Sequence, residues 1–173
     1  TIGGDQPIFS DNKRYLMVFN GEIYNYLWLK QKLIKRGANF RGSGDSEVLG
    51  NCFQYFGIKK TLELIDGMFA IALWDKISKN LYLTCDRIGE KPLYYGWQGE
   101  GVNTAFLFGS ELKALRKHPS FKFDINRDAI NLLLRHNCIP APYSIYKNIS
   151  KLMPGTILSI SINDKEPKIS KSV

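Results

Sequence analysis

Apolar residues fall in short runs and helical stripes, with no single long block. Tyr15–Phe19 (YLMVF) predicts a buried strand, and after Asn20-Gly21-Glu22 the positions Ile23, Tyr26, Leu29, Leu33 and Ile34 recur at helical spacing. Lys35-Arg36 and then Gly37 supply the charge and the glycine that commonly close a helix. The first unit therefore predicts strand, sharp junction, helix. A second stripe, Val48, Leu49, Cys52, Phe53 and Phe56, ends at Gly57, with Ser43, Asp45 or Ser46 as candidate N-caps. A short helical piece near Leu62–Ile65 leads to an Asp66-Gly67 turn. Then MFAIALWD, NLYLTCD, PLYYGW and AFLFGS follow at short spacing, which predicts a meander of antiparallel strands, the first apolar at both parities and so covered on both faces. ELKALRK and INRDAINLLLRH predict two more helices, the second with Ile130, Leu133 and Leu134 as core contacts. LMPGTILSISI gives a turn and a last strand, and NDKEPKISKSV a frayed end or linker. The alternation predicts layers, with helices outside and sheet inside.

Composition narrows the class. The chain has 173 residues, 44% apolar and 23% charged, which suits one large globular domain. No apolar run approaches the ~18 residues of a membrane span, so no membrane is expected. The opening TIGGDQP has no leader pattern and no Met, and reads as the interior of a longer protein. Cys52, Cys85 and Cys138 form no CxxC pair, which favours reduced thiols and a cytoplasmic location. His118 and His136 are too few and too far apart to suggest a metal site. Much of the net charge of +8 sits between Lys30 and Arg41; it is read as the solvated face of a helix, and no nucleic-acid partner is expected because no recognition motif accompanies it.

Candidate chemistry centres on Asn20-Gly21. Asn-Gly after an apolar run usually marks a hairpin, yet no second strand follows directly. At a strand-to-helix junction Gly21 would let its backbone N–H approach a ligand, and Asn20 would offer a side-chain amide beside it. Two converging donors suit the oxyanion of a tetrahedral acyl intermediate. Glu22 and Asp45 could hold a substrate ammonium. The plain alternatives are an ordinary turn for Asn20-Gly21 and an N-cap for Asp45. GSGDSE touches a pyrophosphate-loop pattern but lacks the paired glycines.

Seven segments occur in order: GGDQPI, VFNGEIYNY, SGDSEVL, DGMFAIALWD, DRIGEKPLYYG, GSELKAL and KLMPG. The series resembles the glutamine-hydrolysing domain of glutamine-dependent asparagine synthetases, class II glutamine amidotransferases, from Gly3 to about Gly155. The resemblance implies an α+β N-terminal-nucleophile hydrolase fold, a four-layer αββα sandwich of antiparallel sheets, incomplete at its N-terminus. It implies a domain over residues 1–162, with 163–173 a polar tail or the start of a linker. L-Glutamine would be hydrolysed to glutamate and ammonia, and the ammonia passed to a C-terminal synthetase domain that uses ATP and Mg2+ to amidate aspartate. Asn20 and Gly21 match the oxyanion hole, Glu22 a glutamine-binding position, and Asp45 the carboxylate that holds the α-ammonium. Asp86-Arg87, Gly89, Lys91-Pro92 and Ser110-Glu111 match family hallmarks with an architectural or partner-facing role.

The departures matter as much. The family's nucleophile is an N-terminal cysteine, usually followed by Gly, with its own α-amine as base. No cysteine here precedes Gly, and the arginine that clamps the glutamine carboxylate is also missing. Thr1 is a disfavoured substitute because it directly precedes IGGDQP. The expectation is that upstream residues carry the nucleophile, the arginine and a central strand, and that this segment alone is inactive. Unpaired sheet edges would then be covered by a segment in trans or by a second copy in a homodimer. The competing expectations are a non-catalytic binding domain and an amidotransferase acting on another acceptor, such as a sugar.

Overall fold

A computed structural model describes residues 6–171. In chain order its elements are β1 (Ile8–Phe9), β2 (Tyr15–Ile23), α1 (Tyr26–Ile34), α2 (Asp45–Phe56), α3 (Ile58–Leu64), β3 (Gly67–Asp75), β4 (Asn80–Cys85), β5 (Tyr94–Gln98), β6 (Ala105–Gly109), α4 (Leu112–Leu115), α5 (Arg127–His136), β7 (Ser150–Lys151), β8 (Thr156–Ser161) and β9 (Lys168–Lys171). They form two compact units, one of Thr1–Lys91 with Pro154–Val173 and one of Pro92–Met153.

The first unit is built on a six-stranded antiparallel sheet in the order β1-β2-β3-β4-β8-β9. Its centre is the β2–β3 ladder, which runs from Tyr15 opposite Asp75 to Ile23 opposite Gly67. Alternation along β2 explains the burial: Tyr15, Met17, Phe19 and Ile23 are buried, while Val18, Asn20 and Glu22 are exposed. The buried set joins Phe69, Ile71 and Leu73 of β3, Leu29 and Leu33 of α1, and Val48, Leu49, Cys52 and Phe53 of α2 in one core. Each large side chain so buried contributes roughly 1.5–3 kcal/mol. The two helical stripes thus pack as their spacing predicts. Ile23 and Ile34 do not follow: Ile23 belongs to the strand, and Ile34 is exposed.

The second unit carries a three-stranded sheet in the order β6-β5-β7. Leu107, Leu115, Phe121 and Ile149 form its core, and Tyr146 stands edge-on to Phe121 with ring centroids 5.1 Å apart. Asn126 caps α5 by accepting from the N–H groups of Asp128 and Ala129. This helix buries Ala129 and leaves Leu133 and Leu134 exposed, contrary to the core contacts expected of them. Periodicity identifies an apolar face but cannot say whether anything covers it.

Two further expectations change. The four central strands are not one meander: β3 and β4 pair in the first sheet, β5 and β6 in the second. The free edge of β4 is taken by β8, and the chain leaves the sheet in a tight loop after Cys85. The polar stretch 163–173, expected as a tail, supplies an edge strand over Lys168–Lys171 that pairs with β8. The expected class, α+β with antiparallel sheets, is the one observed.

Candidate functional site

Asn20 and Gly21 lie inside β2, opposite Ala70 and Phe69, and not at a strand-to-helix junction. The reason is steric. Gly21 has φ +153°, and a Cβ there would fall on the Met68 carbonyl oxygen and the Phe69 Cα. Gly67, opposite Ile23, meets the Glu22 carbonyl in the same way. Two glycines on facing strands let the backbones nest closer than side chains permit. The helix begins only at Tyr26, after Asn25 has fixed the corner by donating from Nδ2 to the Leu64 carbonyl (2.8 Å) and accepting from the Asp66 N–H (3.0 Å).

The hydrogen bonds of β2 alternate between its two edges. Even-numbered residues face β3, a side that continues with the Tyr24 N–H donating to the Asp66 carbonyl. Odd-numbered residues face the other way. There β1 covers only Leu16 and Met17, and side chains then take over the ladder. Gln6 accepts from the Phe19 N–H (2.8 Å) and donates to the Phe19 carbonyl (2.5 Å). Asp45 Oδ2 accepts from the Ile23 N–H at 3.0 Å. Gly21 stands between these two clamps. Strand parity aims its N–H at the same edge, where no strand pairs with it among the described residues.

Asp45 is the first residue of α2, and Gly44 occupies the cap position, so Asp45 is not the N-cap. Among the described residues it accepts, besides the Ile23 N–H, only from the Ser46 hydroxyl (3.2 Å), and its side chain is half-buried. Glu47, in the same first turn, holds the approach loop by accepting from the Arg41 and Gly42 N–H groups, both at 2.8 Å. A cleft of about 360 Å³ opens here, lined by Gly21, Glu22, Tyr26, Ser43, Gly44 and Asp45. It lies within the range of small-molecule sites. Three of the four predicted residues, Gly21, Glu22 and Asp45, meet in it; Asn20 is adjacent in sequence but is not part of the lining. A larger cavity of about 430 Å³ beside Phe9, Lys13, Arg41 and Lys76 holds none of them.

The cysteines do not supply a nucleophile to the cleft. Burial pushes the Cys52 and Cys85 thiols up to about 12, which leaves almost no thiolate, and the lining contains no cysteine. Among the described residues no group of three or more His, Cys, Asp or Glu side chains could hold a metal ion. Thr1 and the glycines of GGDQP lie outside the described residues.

Sequence reasoning missed Gln6 as a backbone clamp and Asn25 as the corner. Both sit in motifs already noted, GGDQPI and FNGEIYN, but a side chain that replaces a strand partner leaves no periodic signal. Tyr26 and Ser43 were likewise passed over as lining.

A family model for the glutamine amidotransferase domain matches residues 1–171. The chain belongs to that family. The amidotransferase domain is 37% identical over 171 residues to the "Putative asparagine synthetase (glutamine-hydrolyzing) 2" of Methanocaldococcus jannaschii, across 95% of this chain and 32% of that protein. It is 31% identical over 157 residues to the glutamine-hydrolyzing asparagine synthetase 1 of Bacillus subtilis, across 91% of this chain and 24% of that protein. The domain therefore spans about a quarter to a third of these relatives' length. Among solved structures, the allosteric regulatory enzyme of purine biosynthesis gives a TM-score of 0.68 at 21% identity, across 97% of this chain and 31% of that one. The glutamine phosphoribosylpyrophosphate amidotransferase of B. subtilis gives 0.65 at 21% identity, across 97% and 32%. At that identity the likeness is one of fold, and the fold is the expected N-terminal-nucleophile hydrolase type.

Proposed function

We propose that this amidotransferase domain hydrolyses L-glutamine to glutamate and ammonia. The carrying observation is the cleft that joins the open edge of β2 at Gly21 to the Asp45 carboxylate. A nucleophile attacks the side-chain amide carbon, and negative charge develops on the carbonyl oxygen. The Gly21 N–H and the Asn20 side-chain amide are the donors for that oxygen, each worth ~2.7–4 kcal/mol of transition-state stabilisation in comparable sites. Collapse of the intermediate breaks the C–N bond and releases ammonia; water then hydrolyses the acyl-enzyme to glutamate. Asp45 retains acceptor capacity beyond its bonds to Ile23 and Ser46, and with Glu22 it holds the α-ammonium. We assign the attacking group, by resemblance to the family, to an N-terminal cysteine; the buried Cys52 and Cys85 thiols, held protonated, do not suit the role.

The whole protein we take to be a glutamine-dependent asparagine synthetase, with ammonia delivered to a C-terminal ATP- and Mg2+-dependent domain that amidates aspartate. The support is identity to two such synthetases over nearly the full segment. Three free cysteines fit a cytoplasmic location. The test uses the protein from the complete reading frame. Glutamate release from glutamine, and asparagine formed from aspartate, ATP and glutamine, are the expected results. No glutamate release would leave a binding domain without catalysis, and amidation of a different acceptor would overturn the synthetase assignment.

A further inference from the structure

Asp86 follows β4 and is 3% exposed. Its carboxylate collects five backbone N–H groups. Oδ1 accepts from Ile88 (3.1 Å), Gly89 (2.6 Å) and Glu90 (2.9 Å); Oδ2 accepts from Lys91 (3.1 Å) and Phe69 (3.2 Å). The main chain adds the Asp86 N–H donating to the Phe69 carbonyl (2.9 Å), and the Gly155 N–H donating to the Asp86 carbonyl (3.0 Å). Both polar groups of Phe69 are therefore held by one residue. The next residue, Arg87, donates to the Leu62 carbonyl at 3.0 Å, so the same loop also anchors the end of α3, just before β3 begins. Phe69 is the cross-strand partner of Gly21, and Met68–Phe69 is the backbone packed directly on the Gly21 Cα.

Carboxylates that gather several N–H groups are strong fixtures, because each bond is charge-assisted and the group is costly to leave partly satisfied. Burial favours the neutral acid, but the N–H groups of Glu90, Lys91, Phe69 and Gly89 outweigh it and hold Asp86 below the usual carboxylate range. The bonds thus require the anion, with both oxygens as acceptors.

We propose that Asp86 is a positioning residue for the glutamine-hydrolysing site, fixing Met68–Phe69 behind Gly21 and through that contact the aim of the Gly21 N–H. The inference rests on the glutaminase reading given above. It turns a residue expected to be architectural into one that acts on catalysis from across a strand, without touching substrate. The geometry also limits the effect: a misaimed donor lowers turnover, while Asp45, carried by α2 and not by β2 or β3, stays where it is.

Asp86→Asn tests it in the protein from the complete reading frame. Asparagine keeps one acceptor oxygen and replaces the other with a donor, so one side of the five-bond set is lost. The expected result is a fall of about 10- to 100-fold in kcat for glutamate formation, less than the ~100- to 1000-fold of losing an oxyanion donor outright. KM for glutamine should change by less than about threefold. Asp86→Glu, which keeps both acceptors and the charge, should recover part of kcat. Asparagine formation from free ammonia should stay at the wild-type rate, and Asp75→Asn, at an equally buried carboxylate of the same sheet, should leave kcat unchanged. Wild-type protein that releases no glutamate sinks the glutaminase reading and this inference with it. Wild-type activity with full kcat in Asp86→Asn sinks this inference alone. A rise in KM at constant kcat, or an Asp86→Asn protein that fails to fold where Asp75→Asn folds, would also overturn it, by assigning Asp86 to binding or to stability.

Discussion

Two buried carboxylates stand at opposite ends of β3, and they do different work. Asp75 accepts from Arg14 Nε (3.0 Å) and Nη2 (2.7 Å), and from the Ile77 N–H (3.0 Å). Asp86, across from Phe69, collects only backbone N–H groups from its own loop and from β3. Their exposures are nearly the same, 2% and 3%. One closes the sheet with an ion pair beside the turns; the other shapes a loop and holds a strand behind the cleft. Asp45 makes a third case: it takes one N–H and one hydroxyl and stays half-buried, so it alone of the three retains capacity for a ligand. At equal burial the surroundings decide what a carboxylate holds, and Asp45 differs from both in its burial and in how few donors it meets.

The contrast breaks most severely at Gly21. Gly21→Ala puts a methyl into the Met68 carbonyl and forces β2 and β3 apart, at the end that Asp86 secures. A loss of more than ~3 kcal/mol of stability is expected, together with glutamine hydrolysis. Thermal unfolding of the full-length protein is the measurement, and an alanine variant melting like wild type would disprove the close approach.

The Asp75 end should respond to pH. The hydrogen bonds from Arg14, opposed by burial, hold Asp75 at about 2, against an ordinary value of 3.8. A pKa depressed by folding stabilises the protein above the unfolded value and loses that contribution as pH falls through the folded one. The window is therefore pH 4 down to 2, and the linked stability is about 2 kcal/mol. Asp75→Asn should remove that slope from denaturant midpoints measured across the window, with kcat unchanged. A slope that survives the substitution would assign it to other carboxylates.

Asp45→Asn separates binding from both. The amide oxygen can still accept from Ile23, so stability should hold, while the charge proposed to meet the substrate ammonium is gone. KM for glutamine should rise by about 10-fold or more, the worth of a charge-assisted bond. An unchanged KM would remove Asp45 from the site.

How far the sequence carried depended on the kind of signal. The stripes Leu29–Leu33 and Val48–Phe53 announced α1 and α2 because burial repeats with the helical period. Asn20, Gly21, Glu22 and Asp45 are candidates through motifs in register, and three of them meet in one cleft. The junction at Asn20-Gly21 was misread because a glycine pair nesting two strands looks locally like a turn. Splitting of the meander between two sheets was not legible either. The chain turns out of the first sheet where Asp86 gathers four N–H groups of its own loop and one from Phe69 of β3, an arrangement with no periodicity. The burial of Leu133 and Leu134 failed for a related reason: an apolar face implies a cover only if the fold supplies one.

The smallest effect should come at the other edge of β2. Gln6 grips both polar groups of Phe19, as Asp86 grips those of Phe69, but its bonds are neutral and its residue is exposed. Water can replace part of what Gln6 provides, so Gln6→Ala should cost only about 1 kcal/mol in denaturant unfolding. Activity is the sharper readout. Phe19 precedes Asn20, so a looser Phe19 should lower kcat slightly, by about threefold, and leave KM alone. If Gln6→Ala instead matched Asp86→Asn in kcat, the edge clamp would matter as much as the buried one, and the distinction between a charged, buried fixture and a neutral, exposed one would fall.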